Sequence, residues 1–342
     1  MARERAGADV IPPARPPGHK TYTRLATGRR LPPEYEIVSS DLHYNHPDRF
    51  ELDDNPVARW YQRHREGSPL HCDDWEAFND RRRTTYRAYN ELQDQKEAVV
   101  DGLLHEIDET GYDTGLSEDW VAFLDRWYAP LRYPAHGLQM LAAYIAQLAP
   151  ASRITNCAAF QAGDEIRRLQ RTAYRTAQLA SHRSGIDTAA HRHRWETAGE
   201  LQPLREFVER ALVTYDWGES LVATNAVLKP HLDRFINQVL AGALAAANGD
   251  PILQSIHFSL DEDARWHREW TACLLDAAIA DTAANASVVR GWVDRWRPLA
   301  VASIEAFAAV VAHAPVPLDP AEVTTRITTA VSDELGSVLD AP

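Results

Sequence analysis

The sequence predicts an all-α protein built from long helices. Apolar residues recur at helical spacing over most of the chain after residue 50, and Leu, Ala, Glu, Arg and Gln dominate these segments. Gly and Pro stand mainly between the segments, and neither a series of strands nor a repeat of fixed period interrupts them. The chain of 342 residues is 45% hydrophobic, enough for one sizeable core or two ordinary ones.

Residues 1–50 are predicted to form an extended, partly disordered arm, and residues 51–342 a helical domain. The first twenty residues are rich in Pro, Gly, Arg and Ala, and we expect them to lack a fixed structure alone. Residues 35–44 alternate imperfectly and follow Pro32-Pro33, from which we predict an extended segment and no helix. The apolar residues of the arm need a surface, either on the body of their own chain or on another chain, and we predict that residues 20–50 become ordered only against a partner.

Eight helical segments are predicted, with breaks where Gly, Pro, Asp and Ser cluster. The segments are residues 55–66, 73–108, 117–149, 152–183, 201–246, 250–281, 285–312 and 319–339. The breaks fall at DETGYDTG, APAS, HRSG, NGDP and HAPVPLDP. A bend is predicted within the third segment, at Pro130 or Pro134.

Charge and cysteine content argue against several functions. Lys and Arg total 36 against 49 Asp and Glu, a net charge of −13, which opposes nucleic acid or an anionic membrane surface as the main partner. Cys72, Cys157 and Cys273 are widely separated and match no metal or disulfide framework, so we predict reduced core thiols. The N-terminus lacks a signal peptide's apolar run, and no segment reaches the ~20 apolar residues of a membrane span. We expect a soluble, cytoplasmic protein.

One helix carries most of a metal-binding motif. The stretch QAGDEIRRLQRTAYRTAQL contains Asp164 and Glu165, but Arg168 stands where an Asp-Glu-x-x-His motif needs histidine. Bundles that bind two iron ions use a Glu-x-x-His pair on each of two helices and a further Glu from each of two others. Arginine is a permanent cation and cannot bind a metal. This helix therefore keeps the carboxylate and lacks the imidazole.

The same helix has one apolar face, which sets the predicted orientation of its charged residues. The members of that face are Ala162, Ile166, Leu169, Ala173 and Ala180. We predict that this face is buried, so that Glu165 lies at its edge and points partly inward. Arg168, three residues later, is expected to form an intrahelical ion pair with Glu165.

Segment 250–281 carries the complementary half of the motif. His267 lies in the middle of an apolar stripe, and Ala264 stands three residues before it, where the motif needs glutamate. The stripe consists of Leu253, Ile256, Leu260, Ala264, Leu274 and Ala278. We predict that His267 is a buried, hydrogen-bonded histidine and binds no metal.

The lone carboxylates that such bundles place on neighbouring helices are missing too. Residues 127–162 contain no Asp or Glu, and neither does LVATNAVLKPH at residues 221–231. At least three of the four carboxylates and one of the two imidazoles are therefore absent. We predict no di-iron centre and no catalytic or cofactor-binding residue on this chain, with Glu165, Arg168, Ala264 and His267 as vestigial positions.

Two further groups of residues are assigned structural roles. His191 and His193, in HRHRW, are predicted to lie in a solvated turn. Residues 216–219, Asp-Trp-Gly-Glu, are interpreted as helix packing with a charge pair. The sequence contains no phosphate-binding loop, dinucleotide fingerprint, nucleophile elbow or zinc-protease motif.

An ordered series of motifs lies within residues 20–312. The motifs are RLPPEYEIVSSDLHY, SPLHCDDWEAFND, YRAYNELQD, YAPLRYPAHGLQMLAAYIAQLAPAS, TAYRTAQL, YDWGE, LKP and GWVDRWRPLA. Together they resemble the β (small) hydroxylase subunit of bacterial multicomponent di-iron monooxygenases, most closely the toluene, alkene and isoprene monooxygenase branch. The resemblance implies a ferritin-like, ribonucleotide-reductase-like helical bundle without metal.

The resemblance also implies partners and an activity. A homologous α subunit would carry the di-iron centre, and α, β and γ subunits would form an (αβγ)2 hydroxylase. An effector protein, a Rieske-type ferredoxin and an NADH-dependent reductase would complete the system. The system would insert one oxygen atom of O2 into an alkene or a small aromatic hydrocarbon, with the substrate pocket in α.

Two other functions stay open from the residues alone. The chain could be a metal oxidase in its own right with altered ligands, or a helical interaction protein unrelated to oxygenases. The altered ligands would come from Asp164, Glu165, Asp261, Glu262, Asp263 and His267. Metal analysis of the purified chain separates the first from a scaffold subunit. Co-purification with a larger chain carrying two intact Glu-x-x-His motifs excludes the second.

Overall fold

All regular elements of the described part of the chain are helical. The computed structural model describes residues 25, 28, 30–40, 42 and 55–339. The α-helices are α1 (Glu34–Ser39), α2 (Pro56–Tyr61), α3 (Tyr86–Thr110), α4 (Glu118–Phe123), α5 (Arg132–Leu148), α6 (Ser152–His182), α7 (Ala190–Thr197), α8 (Gln202–Leu212), α9 (Trp217–Leu221), α10 (Lys229–Asp233), α11 (Ala245–Ala247), α12 (Pro251–Asp281), α13 (Ala283–Ala308) and α14 (Pro320–Leu339). None of them combines the length and the apolarity that crossing a membrane requires.

Several α-helices continue into helical turns of other types. The π-helical turns are Gln62–Glu66, Leu124–Tyr128, Val222–Leu228 and Arg234–Leu244. The 3-10 turns are Trp75–Ala77, Tyr112–Gly115, Ala129–Leu131, Gly199–Leu201 and Ala309–His313. Helices α9 to α11 and their π turns thus form one helical run, residues 217–247. Most of its side chains are buried, so this run lies at the centre of the core.

The remaining helices pack around this run in a bundle. Helix α5 forms a hairpin with α6, and the two pack along their length, while α6 also contacts α3 and α12. Helices α12 and α13 both pack on the run, and α13 also contacts α8 and α14. One contiguous hydrophobic core joins these elements, and a small second cluster lies between α3 and the start of α12. The all-α bundle predicted from periodicity is confirmed.

The longest segments begin and end close to their predicted bounds. Predicted segments 152–183, 250–281 and 319–339 correspond to α6, α12 and α14, and 285–312 corresponds to α13 and the 3-10 turn after it. Pro130 lies in the 3-10 turn before α5, whereas Pro134 lies in the first turn of α5, where a missing N–H leaves no intrahelical bond broken.

Two predicted helices are wrong in part. Segment 73–108 becomes α-helical only at Tyr86. Before it, Asp80 holds the chain in a turn by accepting from the backbone N–H of Arg82 and of Thr84. Segment 201–246 is broken between α8 and α9, where Asp216 caps α9 by accepting from the Glu219 N–H at 2.9 Å. Helix α7, in the stretch predicted to be a turn, was not predicted at all.

The extended segment predicted after Pro32-Pro33 is also wrong for its first residues, which form α1. Pro33 has β-region dihedrals and stands just before the helix, a position where proline breaks no intrahelical hydrogen bond. Tyr35 is buried beside Arg153 of α6, and the Leu42 N–H donates to Ser152 Oγ at 2.8 Å. These residues pack against their own chain, which contradicts the predicted need for a partner. The rest of the predicted arm lies outside the described residues.

Helix α6 is reversed relative to its predicted orientation. Ile166 is 42% exposed, and Leu169, Ala173 and Ala180 are only half-buried, so that Ala162 is the one member of the predicted inward face that is buried. The opposite face, which is polar, lies in the interior. Its buried members are Gln161, Asp164, Glu165, Arg167, Arg168, Thr172, Arg175, Thr176 and Gln178. Such a helix is stable only where other helices supply a partner for each buried charge.

Candidate functional site

Four ionised side chains meet in the interior between α6 and α10, at the place where the sequence retains a partial metal motif. We call Glu165, Arg168, Lys229 and Asp233 the ion cluster. Arg168 Nη1 lies 2.5 Å from Asp233 Oδ1 and 3.7 Å from Glu165 Oε2. Lys229 Nζ lies 3.1 Å from Asp233 Oδ2 and also contacts Glu165 Oε1. Two cations therefore face two carboxylates, and the cluster is electrically balanced.

The helical run 217–247 supplies two members of the ion cluster, which are spaced one helical turn apart. Lys229 and Asp233 are four residues apart on α10, so their side chains lie on the same face of the helix. Glu165 and Arg168 are three residues apart on α6 and project from its buried face. Both carboxylates are 0% exposed, so neither is compensated by water. Each depends on the cations of the cluster.

Burial and pairing act in opposite directions on these groups. Burial alone would raise the pKa of Asp233, but Arg168 and Lys229 outweigh it and hold that pKa below its usual value. Burial would likewise lower the pKa of Arg168, and the carboxylates of Asp233 and Glu165 keep it above its usual value. Asp233 and Arg168 are therefore both ionised, as their short contact requires.

A second group of side chains surrounds Asp164, the residue that precedes Glu165 on α6. Tyr89 Oη donates to Asp164 Oδ1 at 2.8 Å, and Gln93 Nε2 donates to the same oxygen at 2.9 Å. His267 Nε2 lies 2.8 Å from Asp164 Oδ2. Gln93 Nε2 also lies 3.0 Å from Asp263 Oδ1, so the amide joins two carboxylates. We call Tyr89, Gln93, Asp164 and His267 the Asp164 network.

A glycine allows this network to form. A Cβ atom at Gly163 would lie 2.6 Å from Tyr89 Oη, closer than side-chain atoms can approach without displacement. The ring of Tyr89 stacks on Phe160 one turn earlier, with centroids 4.5 Å apart. Gly163 therefore opens the space through which the Tyr89 hydroxyl reaches Asp164.

Burial sets the protonation of the Asp164 network. It raises the pKa of the Asp164 carboxyl well above its usual value, and the nearby Asp263 carboxylate raises it further. Burial also lowers the pKa of His267 well below its usual value, and the Lys229 cation lowers it further. His267 is therefore neutral at physiological pH. Its Nδ1 is buried and has no hydrogen-bond partner within the described chain.

Asp263, at the outer side of the network, is bound by two cations. Lys96 Nζ lies 2.5 Å from Asp263 Oδ1, and Arg167 Nη1 lies 2.6 Å from Asp263 Oδ2. Arg167 Nε lies 2.6 Å from Glu97 Oε1, and Glu97 is also paired with Arg171. This chain of ion pairs fastens α3 to α6 and α12.

The residues present do not fit a di-iron centre. The vestigial positions Glu165, Arg168, Ala264 and His267 are all buried. Both carboxylates of the ion cluster are bound to basic side chains, and iron would have to displace Arg168, a permanent cation, and Lys229 from a buried site. Ala264 offers no donor atom. Within residues 55–339 and the described part of the arm, no three His, Cys, Asp or Glu side chains are grouped as a metal site would need.

The structure separates the six alternative ligands into two sets. Asp164, Glu165, Asp263 and His267 are buried around the ion cluster and the Asp164 network. Asp261 and Glu262 are only partly buried and belong to neither group, and Asp261 Oδ2 instead accepts from Gln238 Nε2 at 3.1 Å.

Sequence reasoning missed two members of the ion cluster. The carboxylate-free stretch 221–231 ends two residues before Asp233. The main partner of Arg168 is therefore Asp233 on another helix, and the predicted Glu165 pair is the longer contact. A signal was present, because Lys229 and Asp233 are charged residues at helical spacing within the largely apolar stretch LVATNAVLKPHLDRFINQVLAGALAAA.

His191 and His193 were predicted to lie in a solvated turn, and the three cysteines were predicted to be reduced core thiols. His191 is fully buried in α7, with Nε2 2.6 Å from Asp125 Oδ1, so its assignment to a solvated turn is wrong, while His193 is exposed on the same helix. All three cysteines are free thiols, and Cys157 is the buried one.

Residues 216–219 were correctly interpreted as helix packing with a charge pair. Trp217 is fully buried, and Glu219 Oε1 lies 2.7 Å from Arg295 Nη1 and accepts from Trp296 Nε1 at 3.0 Å. The capping group Asp216 also accepts from Ser68 Oγ at 3.0 Å.

Comparison with known proteins places this chain among oxygenase subunits. The Methane/Phenol/Alkene Hydroxylase family matches residues 60–282. The chain is 38% identical over 317 residues to the hydroxylase component subunit beta of the toluene-4-monooxygenase system of Ectopseudomonas mendocina, covering 91% of this chain and 96% of that protein. It is 25% identical over 350 residues to the hydroxylase component small subunit of propane 2-monooxygenase of Rhodococcus jostii, covering 98% and 91%.

Solved structures are similar over the same extent. A chain of toluene 4-monooxygenase with toluene bound in its resting active site aligns with a TM-score of 0.80 and 39% identity, covering 85% of this chain and 97% of that chain. A chain of xenon-pressurised phenol hydroxylase from Pseudomonas sp. OX1 aligns with a TM-score of 0.82 at 18% identity, which supports the fold alone. The ferritin-like fold and the resemblance inferred from the motifs are confirmed.

Proposed function

Because the chain belongs to the Methane/Phenol/Alkene Hydroxylase family and is a small, beta-type hydroxylase subunit of the multicomponent monooxygenases, we propose that it is a non-catalytic scaffold. Its role is to hold the metal-bearing α subunit in a productive assembly. The assembled system inserts one oxygen atom of O2 into an alkene or a small aromatic hydrocarbon.

The ion cluster is the observation that carries this proposal. Arg168 and Lys229 neutralise Glu165 and Asp233 in the interior, so neither of these two carboxylates is left free to bind a metal. A stand-alone metal oxidase would need those carboxylates free. The cluster also links α6 to α10 without metal, and so it replaces a structural contribution that bound ions make in a metal-containing bundle.

The reversed helix α6 supports the scaffold role. Its outer face exposes Ile166 and Tyr174, the second of which is 50% exposed, beside half-buried Leu169 and Ala173. Helix α5, the hairpin partner of α6, exposes Met140. An apolar face on the helix that also carries the interior ion network is suited to association with a second helical subunit. We propose that this face contacts α.

Membership of this family supports a proposal for the partners of the assembly. We propose that α carries the di-iron centre and that α, β and γ subunits form an (αβγ)2 hydroxylase. An effector protein, a Rieske-type ferredoxin and an NADH-dependent reductase act with it. The acidic net charge of −13 is consistent with a protein that binds neither nucleic acid nor an anionic membrane, and we propose that it works in the cytoplasm.

Turnover normalised to bound iron tests the scaffold role. We would co-express the hydroxylase subunits with wild-type chain, with Glu165→Gln/Lys229→Met and with Arg168→Met/Asp233→Asn, and purify each complex. Each double substitution removes one positive and one negative charge. Hydrocarbon oxidation per iron is expected to stay within about twofold of wild type, although the yield of complex falls. Exposed Arg192→Met serves as the control for yield.

Two results would contradict the proposal. One is a loss of more than about a hundredfold in turnover per iron with the complex intact, which would place this chain in the chemistry. The other is stoichiometric iron on this chain after it is separated from its partners, measured by metal analysis of the isolated chain.

A further inference from the structure

A cavity lies on the side of α12 that faces α14, and it plays no part in the proposed scaffold role. Its volume is about 440 Å³, within the ~300–1,000 Å³ typical of small-molecule sites. Helix α12 and the helical run 217–247 form its floor, and the second half of α14 forms one wall. Most of its accessible lining is apolar, contributed by Ala226, Ala272, Leu275, Val331 and Leu335.

Three arginines line this cavity without a salt-bridge partner among the described residues. Arg81, Arg265 and Arg268 line it, and no described carboxylate lies within 4.0 Å of their guanidinium nitrogens. Nη1 of Arg268 is buried and makes no hydrogen bond to any described group. Burial lowers the pKa of Arg268, although the carboxylates of Asp233, Asp261 and Glu334, none of them within 4.0 Å, act in the opposite direction.

The carboxylates near the cavity are already occupied by other cations. Glu269 accepts from Arg82 Nε at 2.7 Å and from Arg82 Nη2 at 2.9 Å. Glu334 is paired with Arg234. The two acidic residues of the lining are thus paired, whereas none of the three arginines has a described carboxylate within 4.0 Å; Arg81 and Arg265 are exposed to solvent, and Arg268 is half-buried. The cavity presents an excess of positive charge in a protein whose net charge is −13.

We propose that this cavity binds an amphipathic carboxylate, with an apolar body on α12 and α14 and the carboxylate group on Arg268. A guanidinium can donate two parallel hydrogen bonds to a carboxylate, and Arg265 and Arg81 add positive charge to the same space. An inorganic anion would leave the apolar floor uncovered, and a neutral hydrocarbon would leave Arg268 without a counter-ion. The ligand bridges α12 and α14, and its binding stabilises the packing of α14.

Calorimetric titration of the full chain and of the purified hydroxylase complex tests this site. The probes are hexanoate, its neutral counterpart hexanol, and inorganic phosphate. Hexanoate is expected to bind at least about tenfold more tightly than either of the others. Arg268→Met is expected to weaken hexanoate binding by about tenfold or more, and Arg265→Met, at an exposed position, by a smaller factor.

A space-filling variant tests the apolar part. Ala272→Phe places a ring in the cavity and is expected to abolish binding, while Arg192→Met, on α7, leaves it unchanged. Hydrogen exchange of the α14 amides is expected to slow when hexanoate is bound.

Four results would overturn the proposal. Equal affinity for hexanoate and hexanol would show an apolar cavity without anion recognition, and equal affinity for hexanoate and phosphate would show an anion site without an apolar requirement. Unchanged binding in both Arg268→Met and Arg265→Met would remove the guanidinium role. Absence of saturable hexanoate binding at about 10 mM in both preparations would refute the site itself.

Discussion

Arg168 and Asp233 belong to different helices and meet in the interior with Nη1 2.5 Å from Oδ1. Lys229 lies one turn before Asp233 on α10, and it binds Glu165. Glu165 in turn lies one turn before Arg168 on α6. This exchange of partners joins α6 to α10 through two crossed ion pairs. The interior thus contains a closed set of charges in which the removal of any one member leaves another without compensation.

Removal of one charge from the ion cluster is expected to be costly. Lys229→Met leaves the buried Glu165 carboxylate with only the longer Arg168 contact, and we expect a loss of about 3–5 kcal/mol in unfolding free energy. Lys229→Met/Glu165→Gln removes the charge imbalance and is expected to cost less than Lys229→Met alone. Chemical denaturation of the three proteins measures this. A double variant less stable than the single one would mean that the cluster is not electrostatically coupled.

The close approach of Tyr89 to Gly163 predicts a non-additive pair of substitutions. Gly163→Ala places a Cβ 2.6 Å from the present position of Tyr89 Oη, and we expect a cost of about 1–3 kcal/mol. In a Tyr89→Phe background the hydroxyl is absent, and the same substitution should cost less than about 1 kcal/mol. Unfolding free energies of the four proteins complete the cycle. Additive costs would show that steric contact with Tyr89 is not the cause.

His257 predicts a component of acid sensitivity. Burial, assisted by Arg168, lowers the pKa of His257 to about 3, and the ring is held between Asn237 Oδ1 at 2.9 Å and Tyr128 Oη at 3.0 Å. As the pH falls below about 6.5, the unfolded chain takes up a proton that the folded chain does not, so stability falls by about 1.4 kcal/mol per pH unit towards pH 3 from this group.

The corresponding variant is His257→Gln, whose amide can donate to Asn237 and accept from Tyr128. The variant is expected to show a shallower decrease of unfolding free energy between about pH 6 and pH 4, by about 1.4 kcal/mol per unit. Denaturant titrations across this range measure the slope. A slope equal to that of wild type would show that His257 is protonated in the folded protein.

Substitutions on the outer face of α6 are expected to separate stability from assembly. Ile166→Lys and Tyr174→Lys change exposed positions, so the stability of the free chain should stay within about 0.5 kcal/mol. If this face contacts α, each should weaken assembly by at least about tenfold. Val213→Lys, at an exposed apolar position after α8, is the matched control. Titration of α with each variant measures the affinity, and unchanged affinity for both α6 variants would place the interface elsewhere.

Sequence periodicity predicted α12 well. Its apolar stripe is buried as expected, His267 lies within that stripe, and Ala264 stands beside it without a donor atom. Local signals also set the bounds of α6 and α14, because proline, glycine and polar clusters end helices wherever they occur. For these helices, burial of the apolar stripe and satisfaction of the polar groups require the same orientation.

In α6 these two requirements conflict, and the sequence of that helix alone cannot resolve the conflict. Periodicity identified two faces, one apolar and one charged, but burial depends on what the other helices offer. Arg167 meets Asp263, Arg168 meets Asp233, and Arg175 meets Asp113, each from a distant part of the chain. With these partners present the charged face can be buried.

The sequence by itself determined that the chain is helical, where most long helices lie, and that the partial metal motifs lack their complementary ligands. These properties depend on residue type and short-range spacing. Only the tertiary structure decided that α6 buries its charged face, that Asp233 and Lys229 complete the ion cluster, and that three unpaired arginines share one cavity. Each of these depends on pairs of residues far apart in the sequence, and the stability of a buried charge is a property of the pair.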